Sequence, residues 1–554
     1  MFEVSTRTLL NALLASGLAL VSPVFGQTPA NAKSTFKARA ELVTIPVVVT
    51  DKSGTHIQNL KKEDFVVLED GKEQRITSFD EIQKPTNPVW RIPTQPGRFS
   101  NVLARDAAPT RLTVVVLDMI NTPFQDQAFA RQALLKFLAE SLTGDQPTAL
   151  LVIRRSGMQV IHDFTTDPKL LVAALRKITG EKQPLEPASV AALPSGGDGL
   201  SQALQRLMQL ERASEQEMES FDRRSAVMTT LEVMQQIAQS CAGLPGRKAV
   251  IWASGGFPFS INELTMALKE TGPRLSLPTD IWPLYERTWK ALNDAQIALY
   301  PVDVRGLVNF RHVSAEMGRP EGSYYSHAEW QHFDTVATFQ TFAAATGGRA
   351  FFDTNDLKAA FQKASEDNSS YYVLGYYLDR TGKTAGWHKL SVKVAQKGAR
   401  IRARSGFFLT REGPEQTDKT GLEIALTSPL AYTAIPITGQ WLEVLPAMES
   451  GKKKVTFLLT MPANFAEIDE DHNNHALLEL AAVARTASGQ AAGEMSKTVD
   501  VHFKPDSLRQ FREHGMDYHG YLNVAPGEYT VRFVVEDRLS GRIGSVAATL
   551  RVAP

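Results

Sequence analysis

Apolar positions along this chain follow three different periodicities, and the changes between them divide it. Leu112 and Val114 to Leu117 make a run interrupted only by Thr113 and ended by Asp118. A strand that does not alternate is apolar on both sides, which implies a parallel sheet with helices over both faces. The stretch 124–142 supplies one such helix, with Phe129, Ala133, Leu134, Phe137, Leu138 and Leu142 at helical spacing. Further strands are expected at 148–156, 158–165, 248–254, 297–304 and 349–352. Helices are expected at 168–178, 228–241, 284–293, 333–345 and 356–365, with Gly347-Gly348 closing the fourth of these. Strands alternating with helices predict a doubly wound α/β domain over 111–370, with a charged insertion at about 180–222.

On either side of this domain the period drops to two. Residues 41–83 read as short strands with turns at Asp51 to Gly54 and at Asp70-Gly71, a small β domain. Residues 84–110 carry five prolines and little periodicity, as an extended linker does. The stretch 371–410 reads as a β hairpin extension, 411–421 as a second linker, and 422–554 as an immunoglobulin-like β sandwich of short strands between Gly, Pro and Asp turns. The aromatic residues dense in the hairpins from 371–379 to 406–408 are expected as sheet packing, with a sugar or base platform as the alternative. Arg400, Arg402 and Arg404 share one face of a strand, as solvated edge charges or as an anion site.

Composition adds bounds. The 554 residues exceed what one core serves, and 60 basic residues against 60 acidic ones give no electrostatic case for nucleic acid or an anionic membrane. Arg7, the apolar run Leu9 to Val21 and the small residues before Gln27 read as a secretory signal peptide over 1–26, with a retained anchor as the alternative. Residues 27–40 then make a polar, disordered start. The expected location is the periplasm, the cell surface or the medium, with no transmembrane span after cleavage. Cys241, the single cysteine, allows no internal disulfide and sits in an apolar helix pattern as a packed residue.

The apolar strand ending in Asp118 and followed by hydroxyl residues resembles a von Willebrand factor type A domain. LVTIPVVVTDKSGTHIQNLKKEDFVVLEDGKEQRITSFDE, LPGRKAVIWASGGFP, ALYPVDVRGL, AAATGGRAFFDTNDL and the run from Tyr371 to Val394 are similar to the bacterial VWFA-related proteins abundant in acidobacteria. The resemblance spans about residues 40–410. In that fold Asp-x-Ser-x-Ser supplies oxygens to a divalent ion, and here the three positions are Asp118, Ile120 and Thr122. Ile120 offers no oxygen, and the strand that ends in Asp in the metal-binding form ends here in Ser254-Gly255-Gly256. The central Thr has two counterparts, Thr230 or the SGGDG loop with Asp198, and sequence does not choose between them.

Two readings of this edge follow. Asp118, Asn121 and Thr122, with Thr230 and Ser254, hold Mg2+ or another divalent cation in a degenerate site; or Asp118 and Thr122 cap the following helix. A calcium loop is the weaker candidate at 467–475: Asp469, Asp471 and Asn473 match its first positions, but Asn474 and Leu480 replace the Gly and Glu it needs. No nucleophile elbow, H-E-x-x-H, P-loop or dinucleotide fingerprint occurs. No cofactor is certain. The expected function is an exported, non-enzymatic protein that binds or scaffolds a protein partner through the loops at the carboxyl edge of the sheet. The alternative is an envelope hydrolase using His162, Asp163 or the acidic run 467–471.

Overall fold

The computed structural model describes residues 41–83, 97–102, 111–142, 144, 146–180, 221–258, 282–307, 327–379, 383–409, 420–470 and 472–553. The expected signal peptide, the segment 27–40, most of the 180–222 insertion, and Asp198 and Asp471 lie outside them.

The chain opens with β1 (Glu41–Thr50), β2 (Phe65–Glu69), β3 (Lys72–Gln74) and β4 (Ser78–Ile82), then β5 (Arg98–Ser100). The α/β part follows: β6 (Leu112–Asp118), α1 (Phe124–Glu140), β7 (Thr148–Arg154), β8 (Gly157–Thr165), α2 (Pro168–Arg176), the helical residues 221–241 as α3, β9 (Lys248–Ser254), α4 (Trp282–Asp294), β10 (Ile297–Asp303), α5 (His327–Thr346) and α6 (Leu357–Glu366). Its sheet runs β10-β9-β6-β7-β8, parallel except for the antiparallel edge β8. Every residue of β6, β9 and β10 is buried, as the unbroken apolar runs require.

Two cores flank this sheet. Val114, Val116, Val250 and Trp252 pack with α3, α4 and Phe342 on one face. Val115, Leu117, Ile251 and Tyr300 pack with α1, α2 and α6 on the other. The local signals are legible: Asp167 caps α2 through Lys169 N at 2.9 Å, Asp356 caps α6 through Ala359 N at 3.0 Å, and Gly347 leaves α5 at φ +76°. Two expectations need correction. Phe129 is exposed while Gln127 is buried, donating from Nε2 to the carbonyls of Met119 and Thr122. The expected strand at 349–352 reduces to a single bridge between Val302 and Phe351.

The remaining β strands are β11 (Tyr371–Leu378), β12 (Gly386–Val394), β13 (Arg400–Arg402) and β14 (Gly406–Leu409), then, after α7 (Thr420–Thr427), β15 (Thr438–Pro446), β16 (Lys453–Met461), β17 (His475–Arg485) and β18 (Ala491–His502). After α8 (Pro505–His514) come β19 (Met516–Val524), β20 (Gly527–Asp537) and β21 (Arg542–Val552). Strands read apart in the sequence are paired here. One sheet orders β13-β1-β11-β4 and a second orders β14-β12-β2-β3, so 41–82 and 371–409 build both together over a shared core of Val47, Phe65, Tyr372 and Tyr376. The turn at Asp70-Gly71 has the two positive φ values, +48° and +81°, that a tight hairpin needs.

The C-terminal residues form two four-stranded antiparallel sheets, β19-β16-β15-β5 and β18-β17-β20-β21, around one core. The fourth strand of the first sheet comes from the stretch read as a linker. Phe99 stacks on Phe533 at 5.0 Å, and Asn101 Nδ2 donates to the carbonyls of Tyr432 and Ile435 while its Oδ1 accepts from Ile437 N at 2.7 Å. Thr433 joins this module to α3, its hydroxyl donating to Ser240 O and accepting from Gly243 N. Among the described residues, no helix is long and apolar enough to cross a membrane.

Candidate functional site at the carboxyl edge of the parallel sheet

Register places Ser254 beside Asp303 and Leu117 beside Ala253, so Asp118, Ser254 and Asp303 end three neighbouring strands in a row. Asp118 is fully buried. Its Oδ1 accepts from Asn121 N at 3.0 Å, and its Oδ2 from Asn121 Nδ2 at 2.8 Å and Trp252 Nε1 at 3.1 Å. The Ser254 hydroxyl lies 3.0 Å from the same Oδ2 and also reaches Gly256 O. Burial pushes the Asp118 carboxyl above its usual range, and the donors from Asn121, Trp252 and Ser254 pull against that shift.

Asn121 and Thr230 do meet, through Asn121 Nδ2 and Thr230 Oγ1 at 3.1 Å, with Thr230 inside α3. Thr122 Oγ1 accepts from Gly255 N at 3.0 Å. The N-cap of α1 is Pro123, which makes no side-chain cap hydrogen bond, and Asp118 and Thr122 tie the β6 loop to the β9 loop. Gly255 is needed there, because a Cβ would lie 2.9 Å from Pro123 Cδ and 3.0 Å from Asn121 O.

Four of the five residues expected at the site, Asp118, Asn121, Thr230 and Ser254, are within one network joined by Trp252, which the apolar pattern assigned only to the core, and Thr122 bonds beside it to Gly255 N. A cation needs lone pairs of oxygen directed at it; Asp118 Oδ2 faces three donors and the indole can only donate, while Oδ1 faces one.

The next strand end holds a charged group that the sequence reading passed over. Asp303, fully buried, takes a two-pronged ion pair from Arg305, Nη2 to Oδ2 at 2.7 Å and Nε to Oδ1 at 2.9 Å. Arg305 Nη2 lies 3.5 Å from His332 Nδ1, and His332 Nε2 is 3.1 Å from Asp353 Oδ1. The signal available beforehand was an Asp at the carboxyl end of a buried strand with Arg two residues later. Around this group stand exposed apolar side chains: Phe129 in contact range of Gly306, Leu307 beside it, and Phe333 against His332.

The other candidates lie apart. His162 and Asp163 are on the surface strand β8, where His162 Nδ1 meets the Asp163 carbonyl at 2.7 Å and not its carboxylate. Asp469 is engaged by His472 at 2.7 Å and Glu470 by Arg512, while Asn473 and Asn474 turn the chain with positive φ. Arg402 is neither a free edge charge nor an open anion site, since Asp367 pairs with it at 2.6 Å. Among the described residues, Glu69, Asp70 and His388 bring metal-capable atoms together. Both imidazole nitrogens are engaged there, by Asp70 at 2.7 Å and by Thr384 O at 2.9 Å, and Lys383 and Tyr376 hold Glu69. That group fits an ion-paired knot rather than a metal.

No family model matches the chain, and no curated protein does. The chain is similar to the solved vWF domain of the type V pili tip protein Mfa5 from Porphyromonas gingivalis, at 12% identity over 46% of this chain and 94% of that one, with a TM-score of 0.23. Three N-terminal domains of the same protein match at 9% identity over 88% of this chain and 77% of that one, with a TM-score of 0.24. Scores this low carry no argument about function.

Proposed function

We propose that this is an exported, non-enzymatic protein that binds a protein partner at the carboxyl edge of its α/β sheet, with metal dependence weak or lost. The observation that supports weak metal dependence most is the load on Asp118: Oδ2 faces Asn121, Trp252 and Ser254 while Oδ1 accepts from Asn121 N, which makes the carboxylate a brace for the loops. What the braced edge offers outward is a mixed surface of Phe129, Leu307 and Phe333 around the Asp303–Arg305 pair. Aromatic residues and Arg are the side chains most enriched where proteins bind each other. The leader pattern before Gln27 supports export, and 422–554 would serve as an immunoglobulin-like spacer.

Titration calorimetry of the metal-stripped chain with magnesium, manganese and calcium tests the metal clause, and no saturable heat is expected. Heat that vanishes in Asp118→Ala would restore an ion site. The binding clause predicts that Phe129→Ser with Leu307→Ser weakens capture of any partner recovered from the envelope at least tenfold, with the melting curve unchanged. Undiminished capture would move the binding surface elsewhere.

A further inference from the structure

Three of the chain's eleven histidines gather at one end of the C-terminal sandwich, where the run 467–475 leads into β17. Asp469 N donates to His475 O at 2.8 Å and His475 N to Asp469 O at 2.9 Å. On its other side His475 stands directly opposite His502, the last residue of β18. Both backbone groups of His475 are spent on Asp469, so its pairing with His502 is of the non-hydrogen-bonded kind, in which side chains come closest. Their rings stack at 4.7 Å. Residues opposite each other share a face, which puts Asp469, His475 and His502 in one row. Asp500, two residues before His502, lies on that face as well. Phe503 N donates to Asn474 O at 3.1 Å and ties the turn to the end of β18.

Two of these imidazoles are held by a carboxylate at one nitrogen only. His475 Nε2 is 2.9 Å from Asp500 Oδ1, and His472 Nδ1 is 2.7 Å from Asp469 Oδ2. The other nitrogen of each ring makes no hydrogen bond to the described residues, and neither does either nitrogen of His502. A carboxylate at one imidazole nitrogen fixes the ring and its tautomer and makes the other nitrogen a better ligand, as around metal-binding histidines. His388 differs, because both of its nitrogens are engaged.

We propose that His472, His475 and His502 hold a borderline divalent cation, Zn2+ or its neighbours Ni2+ and Cu2+, with Asp469 and Asp500 orienting the imidazoles. Imidazole nitrogen suits these ions, whereas Mg2+ and Ca2+ take oxygen. Two nitrogens on one zinc ion sit about 3.3 Å apart, given bonds of about 2.0–2.1 Å. The stacked rings are near that spacing, and His502 is exposed and free to turn the rest of the way. His472 is 80% exposed at the tip of the turn and has the same freedom. The acidic run 467–471 adds a field that draws a cation. Three protein ligands leave a fourth position for water or for a partner's side chain. The site is separate from the carboxyl edge of the α/β sheet and does not depend on the function proposed there.

Equilibrium dialysis of the full chain, metal-stripped and without an affinity tag, against zinc tests the site. One equivalent of zinc is expected, and excess magnesium or calcium should not displace it. His502→Gln, a surface change, should weaken zinc binding at least tenfold while the metal-free protein melts as before. Asp500→Asn, which alters only the orienting carboxylate, should cost about tenfold. No zinc retained, or zinc retained as tightly in both His475→Gln and His502→Gln, overturns the proposal.

Discussion

Two buried carboxylates show how the same residue type is handled differently by its surroundings. Asp118 has a donor for each oxygen, so Asp118→Ala removes the acceptor shared by Asn121, Trp252 and Ser254. We expect a loss of about 3 kcal/mol in urea unfolding, since buried donors left without partners cost more than the bonds gain. Glu536 is the opposite case. It is buried under α7 with neither oxygen hydrogen-bonded, directly across from Glu479, with Arg538 at 3.6 Å, and burial pushes it up to about 7. Below the ordinary value of 4.5 both folded and unfolded forms carry the proton, so Glu536→Gln changes little there. As pH rises the unfolded chain ionises first, and the native protein loses stability until its own carboxyl follows near 7. Glu536→Gln should therefore gain up to about 3 kcal/mol at pH 8 and almost nothing at pH 4, read from denaturation midpoints. Equal gains at both pH values would mean a packing effect.

At the scale of elements, strand and helix positions inside the α/β domain follow from periodicity because each element there satisfies its own backbone and buries its own face. The apolar runs at 112–117 and 248–253 could hardly be anything but central strands. β5 had no such signal: three residues, Arg-Phe-Ser, among prolines, become a strand only because β15 offers an edge and Phe533 a ring. Phe99→Ala should lower the stability of the C-terminal sandwich by about 2–3 kcal/mol. Hydrogen exchange would show faster opening at 438–440, with β6 and β9 unaffected. The converse lesson comes from Phe129, which fits the helical spacing yet faces outward, because Gln127 is drawn in by two loop carbonyls.

At the scale of the whole molecule, segments far apart in sequence share sheets, and this constrains which pieces can stand alone. Residues 41–83 supply half of the strands in each of the two N-terminal sheets and take the rest from 371–409. Expressed by themselves they should show no cooperative melt by circular dichroism. A chain of 422–554 lacks β5 and should melt below the same module in the full protein. Adding a peptide of residues 96–103 in excess should return part of that difference.

The sequence alone determined whatever depends on neighbours within a few turns of chain: the parallel α/β core, the hairpin at Asp70-Gly71, and the row of residues near Asp118. It also indicated the missing oxygen at Ile120. Only the tertiary structure decided which donors Asp118 would face, that Trp252 would be among them, and that Asp303, Arg305 and His332 would gather beside it. The same holds for strand partners. Hydrophobic pattern specifies that a strand has a face to bury, but its edges are bare N–H and C=O groups alike in every strand. Which edge meets which is settled by the packing of the whole chain.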